Sequence, residues 1–447
     1  MPLPTRILDQ NVCILGLGYV GLTLGVAMAD AGFRVHGIER RQDVVDLLKE
    51  GKAHFWEPRL DDKLKRVVEK GSFTFSTDVD PGFPATVYIL TVGTPLGKDG
   101  KASLEAVERA SRQVASVMPE DALVILRSTV KLGTARNVVA PVLAERGRRY
   151  EIAVCPERTL EGKALIELNE LPQIIGSDDA DTRQRCVQLF GALTPTTIAL
   201  SSLEAAELTK LVDNTYRDVM FAFANEIAQL CGHAGLSAHE IISAGRLGYP
   251  RTNVALPGPV GGPCLEKDPH ILVESARSYG VTMGITAAAR QMNEVQPAET
   301  VRLMKEAFEA AGGGASPKIA LCGLAFKGVP PTDDLRGTMA TPILEALRAA
   351  FPDGSFVGYD PVVPEPAARG FFGIDTAPTL QDACEGASIA VIANNHPTFQ
   401  RMELPALAAI MATPGIVYDY WNMHNRETEG LPTGVRYLSL GSERKEA

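Results

Sequence analysis

No stretch of the 447-residue sequence approaches the roughly 18 consecutive apolar residues needed to cross a bilayer. The opening MPLPTRILDQ has no apolar core of the kind that directs secretion. Basic residues are outnumbered, 44 Lys and Arg against 54 Asp and Glu, and the net charge of −10 argues against a nucleic-acid or anionic-membrane partner. An anionic small molecule is still possible, because a few local Lys and Arg can hold one. The seven cysteines, at 13, 155, 186, 231, 264, 322 and 384, include no CxxC pair. That spacing favours reduced thiols over a disulfide frame or a zinc site, so no metal is expected. These absences lead to the expectation of a soluble cytoplasmic protein. The chain is too long for one core, and two or three domains are expected.

What is present begins with NVCILGLGYVGLTLGVAMADAGFRVHGIER. Asn11–Leu15 reads as a strand, and Gly16, Gly18 and Gly21 match GxGxxG. A helical stretch then runs to Ala31, Val35–Ile38 is a second strand, and Glu39 stands at its end. The glycines let backbone amides approach a pyrophosphate at a helix N-terminus, and the carboxylate takes ribose hydroxyls. A lone glycine turn is weak evidence, but the complete unit favours a dinucleotide. Glu39 would repel a 2′-phosphate, which points to NAD, while Arg40 and Arg41 leave NADP open.

Apolar strands ending in small polar residues recur at 86–95, 122–129 and 151–158. In an open parallel sheet, ligands bind beyond the carboxyl ends of the strands, which places Thr94, Ser128, Thr129 and Glu157 around a crevice. Ser128 and Thr129 equally fit helix capping. CPERTLEG carries two carboxylates, Glu157 and Glu161, where a plain turn would suffice.

SSLEAAELTKLVDNTYRDVMFAFANEIAQLCGHAGL opens on a capping-box pattern, Ser201 to Glu204, and continues at helical spacing for about thirty residues. Lys210 and Asn214, four apart, share a face. Apolar neighbours at Leu208, Leu211 and Val212 weaken the bland reading of Lys210 as a solvated surface lysine. A further helical region covers roughly His270 to Gly312, and AAGGGASP reads as a boundary. KIALCGLAFKG then restarts a shorter Rossmann-like unit with Asp360 at the end of its second strand. This unit lacks an intact GxGxxG, so a nucleotide other than a dinucleotide fits, with Lys327 available for a phosphate. PGPVGGPCLEKDPHIL sets Cys264 on an apparently irregular, glycine-rich backbone, which is unusual for a cysteine used as packing.

GLGYVGLTLG, RSTVKLGT, CPERTLEGKALIEL, AAELTKLVDNTYRDVMFAFANEIA, VGGPCLEKDP and GLAFKGVPPTDDLRGT, in that order, resemble the NAD-dependent nucleotide-sugar 6-dehydrogenases. The resemblance implies an α/β fold with two Rossmann-like, doubly wound parallel-sheet domains joined by a long helix and a helical central domain. The implied boundaries are 1–200 for NAD, 201–312 for the centre and dimerisation, and 313–447 for the UDP-sugar. It implies oxidation of a sugar CH₂OH to a carboxylate in two NAD-coupled steps.

Residue by residue, the resemblance makes Cys264 the nucleophile that holds the C6 carbon as a thiohemiacetal and then a thioester. Lys210 and Asn214 would stabilise negative charge on the reacting oxygen, and Asp268 would assist proton transfer. Thr129, Glu157 and Glu161 would orient water or act as acid and base. Gly16, Gly18, Tyr19, Val20, Gly21, Glu39, Arg40, Thr94, Ser128, Thr129 and Lys267 would line the cofactor. Glu157, Lys210, Asn214, Arg217, Arg251, Gly261, Lys327 and Arg336 would contact the sugar nucleotide.

NTYRDVMFAFANE and YPRTNVALPGP resemble the N-acetylhexosamine branch, glucosamine or mannosamine. Pro263, in place of that branch's histidine, and LEKD resemble the UDP-glucose branch, which stays as an alternative. A two-electron hydroxyacid dehydrogenase has no need for Cys264. A non-catalytic nucleotide-sugar binder has no need for the full set of reactive side chains.

Overall fold

The computed structural model describes residues 9–97, 99–424 and 430–442, so the first eight residues of the opening segment lie outside it. The chain forms two compact units. One comprises Met1–Asp213 with His270–Thr282, and the other comprises Asn214–Pro269 with Met283–Ala447. The residues read as a helical middle are therefore shared between the two.

The first unit is built on an eight-stranded sheet. Its strands are β1 (Asn11–Leu15), β2 (Arg34–Ile38), β3 (Phe73–Ser76), β4 (Val87–Leu90), β5 (Ala122–Leu126), β6 (Tyr150–Val154), β7 (Gln173–Gly176) and β8 (Thr197–Leu200). The spatial order is β3-β2-β1-β4-β5-β6-β7-β8, and all neighbours are parallel except β6 and β7, which meet at Val154 and Gly176. Every residue of β5 is buried, as a strand covered on both faces requires. Alternate side chains of β1 supply two cores. Val12 and Ile14 pack with Leu22, Val26 and Phe73, whereas Cys13 and Leu15 pack with Tyr88, Leu90 and Leu126.

In the second unit β9 (Lys318–Cys322), β10 (Ser355–Tyr359), β11 (Asp375–Thr376), β12 (Ile389–Ile392), β13 (Gly415–Asp419) and β14 (Val435–Ser439) form an all-parallel sheet, ordered β11-β10-β9-β12-β13-β14. Val301, Met304 and Phe308 of the helix Gly284–Ala310 cover one face, against Ile319, Leu321, Ile389 and Val391. The doubly wound α/β architecture expected from the sequence is the one observed.

The long helix runs over Leu203–Ala234, 32 residues and about 48 Å at ~1.5 Å per residue. Its start differs from the expected capping box. Ser202, not Ser201, accepts the Ala205 N–H at 3.2 Å, and Glu204 is bound by Arg136 at 2.6 Å. Glu204 is therefore not available to reach back to the chain entering the helix. Among the described residues no helix is long and apolar enough to cross a membrane, and no group of three or more His, Cys, Asp or Glu could hold a metal ion.

Candidate active site

The glycine turn of the first unit is built for close approach. Gly16 has φ +94°, and a Cβ at Gly21 would sit 2.0 Å from the Gly16 carbonyl oxygen, so any side chain there would push the helix Tyr19–Asp30 off the turn. At Gly18 an added Cβ would meet nothing within 4 Å, which leaves the mouth of the turn open beside Tyr19 and Val20. Glu39 reaches the turn and accepts the Leu17 N–H at 3.2 Å. Arg41 is paired with Asp43 at 2.5 Å, and Arg40 is exposed. Open backbone at a helix start and a carboxylate at the end of β2 fit a dinucleotide.

Hydroxyls knit the ends of the strands. Thr94 donates to the Thr129 carbonyl at 2.6 Å, and Ser128 donates to the Val92 carbonyl at 2.6 Å. Ser128 therefore ties β4 to β5 and does not cap a helix. Thr129 is half-buried. The loop that follows is held by Glu207, which accepts Gly133 N–H at 2.5 Å and Ala135 N–H at 2.8 Å. Burial drives the Glu207 carboxyl up to about 7, against the opposing pull of those two N–H groups.

Glu157, 8% exposed, is clamped by Arg127, 2% exposed. The guanidinium also donates to the Cys155 carbonyl at 3.0 Å and to Gln173 at 2.8 Å, and it lies over the Phe190 ring. The N–H groups of Arg158 and Thr159 reach Glu157 at 2.7 and 2.8 Å. Burial alone would raise the Glu157 carboxyl. The charge of Arg127, the Thr159 N–H and the nearby Lys210 charge outweigh it and hold the group below its ordinary range. Lys210 itself is buried on the long helix, contrary to the solvated reading of a lone helical lysine. Glu161 is half-buried in the turn that follows Glu157.

In the second unit Cys264 sits in a short helical turn, Gly262–Leu265, which corrects the expectation of irregular backbone. Pro263 suits the first turn of a helix because it has no N–H to leave unpaired. Gly262 is required: it has φ +87°, its N–H donates to the Gly337 carbonyl at 2.6 Å, and an added Cβ would lie 2.5 Å from the Phe326 ring. The cysteine turn is thus pressed against the loops of the second sheet, and Gly261 lies beside Met339 in the same contact. Cys264 is partly exposed, whereas the other six cysteines are buried. One turn later Asp268 is fully buried, accepting the Asn214 amide at 2.6 Å and the Lys267 ammonium at 2.7 Å.

The remaining substrate candidates all belong to the second unit. Arg217 and Arg251 are exposed, and Arg251 stacks on Tyr249. Lys327 lies 5.0 Å from the Phe326 ring centroid, and Arg336 is paired with Asp334 at 2.5 Å. Asp360 serves the backbone. It accepts the N–H groups of Leu324, Ala325, Val362 and Val363, so the turn after β9 is shaped by a carboxylate without the full glycine motif. Sequence reading missed Arg127, whose signal is a lone arginine closing an apolar strand. It also missed Glu207 and Glu57, whose roles depend on residues far away in the chain.

Comparison with known proteins bears on the same segments. The profile of the UDP-glucose/GDP-mannose dehydrogenase family matches at residues 10–194 (NAD binding domain), 204–295 (central domain) and 320–426 (UDP binding domain). A UDP-N-acetyl-D-mannosamine dehydrogenase of Pyrococcus horikoshii is 34% identical over 408 residues, covering 90% of this chain and 93% of the relative. The structure of a UDP-D-ManNAc dehydrogenase from Pyrococcus horikoshii superposes with TM-score 0.86 at 32% identity, covering 96% of this chain and 99% of that one. A UDP-glucose dehydrogenase from Pyrobaculum islandicum also gives 0.86, at 26% identity with 98% and 99% covered. Backbone similarity is therefore the same for the two sugar specificities.

Proposed function

The chain belongs to the UDP-glucose/GDP-mannose dehydrogenase family, and from this we propose a four-electron oxidation of the C6 hydroxymethyl of a UDP-N-acetylhexosamine, mannosamine or glucosamine, to the uronic acid. That it is an NAD-dependent UDP-sugar dehydrogenase follows from the family itself. The observation that carries the finer reading is the partly exposed thiol of Cys264 one turn before the buried Asp268, which Asn214 and Lys267 hold.

Bound NAD would supply a hydride acceptor for each of the two oxidations. The Cys264 sulfur adds to the C6 aldehyde and retains the intermediate as a thiohemiacetal. Loss of a second hydride from C6 leaves a thioester. Water then attacks, the C–S bond breaks, and the products are the carboxylate and the restored thiol. Lys210 and Asn214 stabilise negative charge on the C6 oxygen. Asp268 passes the proton, and its bonds to Asn214 and Lys267 hold its carboxylate in one orientation. Glu157 is kept ionised by Arg127, which suits orienting water more than donating a proton, and Glu161 and Thr129 complete that set. Gly16, Gly18, Gly21 and Glu39 hold the cofactor. Arg217, Arg251, Gly261, Lys327 and Arg336 supply contacts for the sugar nucleotide.

The test is a panel of UDP-N-acetylmannosamine, UDP-N-acetylglucosamine, UDP-N-acetylgalactosamine and UDP-glucose, counting NADH per sugar consumed. Two NADH from an N-acetylhexosamine are expected. One NADH overturns the four-electron reading, and a strong preference for UDP-glucose overturns the choice of sugar.

A homodimer is part of the same reading. Val212, Tyr216, Phe223 and Leu230 stand exposed along the long helix, an apolar stripe suited to a second copy. Light scattering on the purified protein checks it, and a monomer overturns it.

A further inference from the structure

The segment from Glu157 to Lys163 carries both carboxylates assigned to the hydrolytic step, and different buried groups hold its two ends. Arg127 holds Glu157. At the other end stands Glu57, 5% exposed, which belongs to neither the glycine motif nor any strand end. Its carboxylate accepts the Gly162 N–H at 2.6 Å and the Ala164 N–H at 2.9 Å, and it takes a short bond from the Tyr19 hydroxyl. The Gly162 N–H also reaches the Tyr19 oxygen at 3.0 Å. Tyr19 is the first residue of the helix that opens the dinucleotide site, and its ring lies 5.0 Å from that of Phe55. One carboxylate thus joins the cofactor helix to the turn containing Glu161.

A simple helix cap does not need this arrangement. The helix Ala164–Glu170 begins after Lys163, which makes no side-chain capping bond, and an Asp or Ser there would serve the N–H groups of the second and third helical residues and leave those of Gly162 and Ala164 unfilled. Instead the acceptor comes from 105 residues earlier in the chain. Burying a carboxylate is costly unless it is fully hydrogen-bonded, and here three donors converge on it.

We propose that Glu57 is a positioning residue. Together with Tyr19 it fixes the Glu161 turn to the cofactor helix, so that the Glu161 backbone is held in one conformation for the hydrolytic step. The inference rests on the thioester reading above. Glu57 touches neither sugar nor cofactor in this role and acts through the backbone of Gly162 and Ala164.

Rapid mixing of the full-length enzyme with NAD and its UDP-sugar separates the steps. Glu57→Gln keeps the shape but turns a donor toward backbone N–H groups. The NADH burst that precedes hydrolysis should stay within about twofold of wild type while steady-state turnover falls by about tenfold or more, because a small misplacement is costly only for the step that uses the group. Quenched samples should show the acylated enzyme accumulating by intact mass. Glu57→Asp keeps the charge but shortens the reach to the Gly162 and Ala164 N–H groups and should show the same split more weakly, which keeps the test available if Glu57→Gln does not fold. Unchanged turnover in a folded Glu57→Gln overturns the proposal, as does an equal loss of burst and turnover without adduct. Release of one NADH per sugar by wild type would instead remove the thioester reading beneath it.

Discussion

The side-chain amide of Asn214 donates to the carboxylate of Asp268 at 2.6 Å, and both residues are buried. Fifty-four positions separate them in the chain, and Lys267 completes the set on the other carboxylate oxygen. Removing the amide leaves a buried carboxylate with an unfilled acceptor. Asn214→Ala should therefore cost about 1–3 kcal/mol in urea unfolding, as well as slowing the reaction. A loss below the error of the measurement would show that water replaces the amide freely.

Cys264 is partly exposed, so its replacement by Ser should leave folding almost untouched, within about 0.5 kcal/mol. Turnover to the uronic acid should collapse while UDP-sugar binding, measured by calorimetry, survives. Wild-type rates in this variant would remove the thiol from the chemistry.

Arg127 and Glu157 form a pair buried beneath the strand ends. Arg127→Met leaves the Glu157 carboxylate uncompensated and should destabilise the protein by about 3–5 kcal/mol near neutral pH. The folded-state pKa of Glu157 lies below its ordinary 4.5, so its contribution is fully present above that value and is lost as pH falls through the folded pKa. Without the guanidinium, burial acts on Glu157 with far less opposition and raises it. Unfolding free energies of the variant should then lose this part of the wild-type rise with pH, and an unchanged pH profile would refute the pairing.

Glu207 has the opposite sign. Its folded-state pKa of about 7 exceeds the ordinary 4.5, so the native state holds the proton that the unfolded chain has released. Stability should fall as pH rises between these values, by up to about 3 kcal/mol, and level off above them. Glu207→Gln should remove that slope, whatever constant offset it introduces. Urea unfolding at pH 5 and pH 8 on both proteins measures the difference.

Glu39 stands at the end of β2 with one oxygen on the Leu17 N–H. If Glu39 takes the ribose hydroxyls as proposed, Glu39→Ala should lower kcat/KM with NAD by about tenfold and narrow the preference over NADP, because that acceptor and its repulsive charge are removed together. Steady-state rates with each cofactor decide it, and an unchanged ratio would take Glu39 out of cofactor choice.

Local chemistry was legible in the chain. The glycine spacing at 16, 18 and 21, the runs of β4, β5 and β6, and the uninterrupted helical pattern after 202 each depend on neighbours a few residues apart. The position of Cys264 was misread because glycine and proline signal loops, whereas here Pro263 opens a helical turn and Gly262 serves a contact with Phe326. Ser128 was ambiguous because a hydroxyl at a strand end can serve a helix start or a neighbouring strand, and the choice depends on where Val92 lies. Asp360 was placed only at the end of its strand, and that four backbone N–H groups occupy it depends on turns 35 residues apart in the chain.

By itself the sequence determined the fold class and the glycine turn of the NAD binding domain, and it marked the candidate side chains, because periodicity, turn chemistry and ordered motifs are short-range properties of the chain. The tertiary structure alone decided the electrostatic state of those side chains. Arg127 holds Glu157 ionised, burial raises Glu207, Asn214 and Lys267 orient Asp268, and Glu57 reaches across 105 positions to the turn of Glu161. A carboxylate's protonation and direction depend on burial and on donors brought close by folding, and neither is written in the residues beside it.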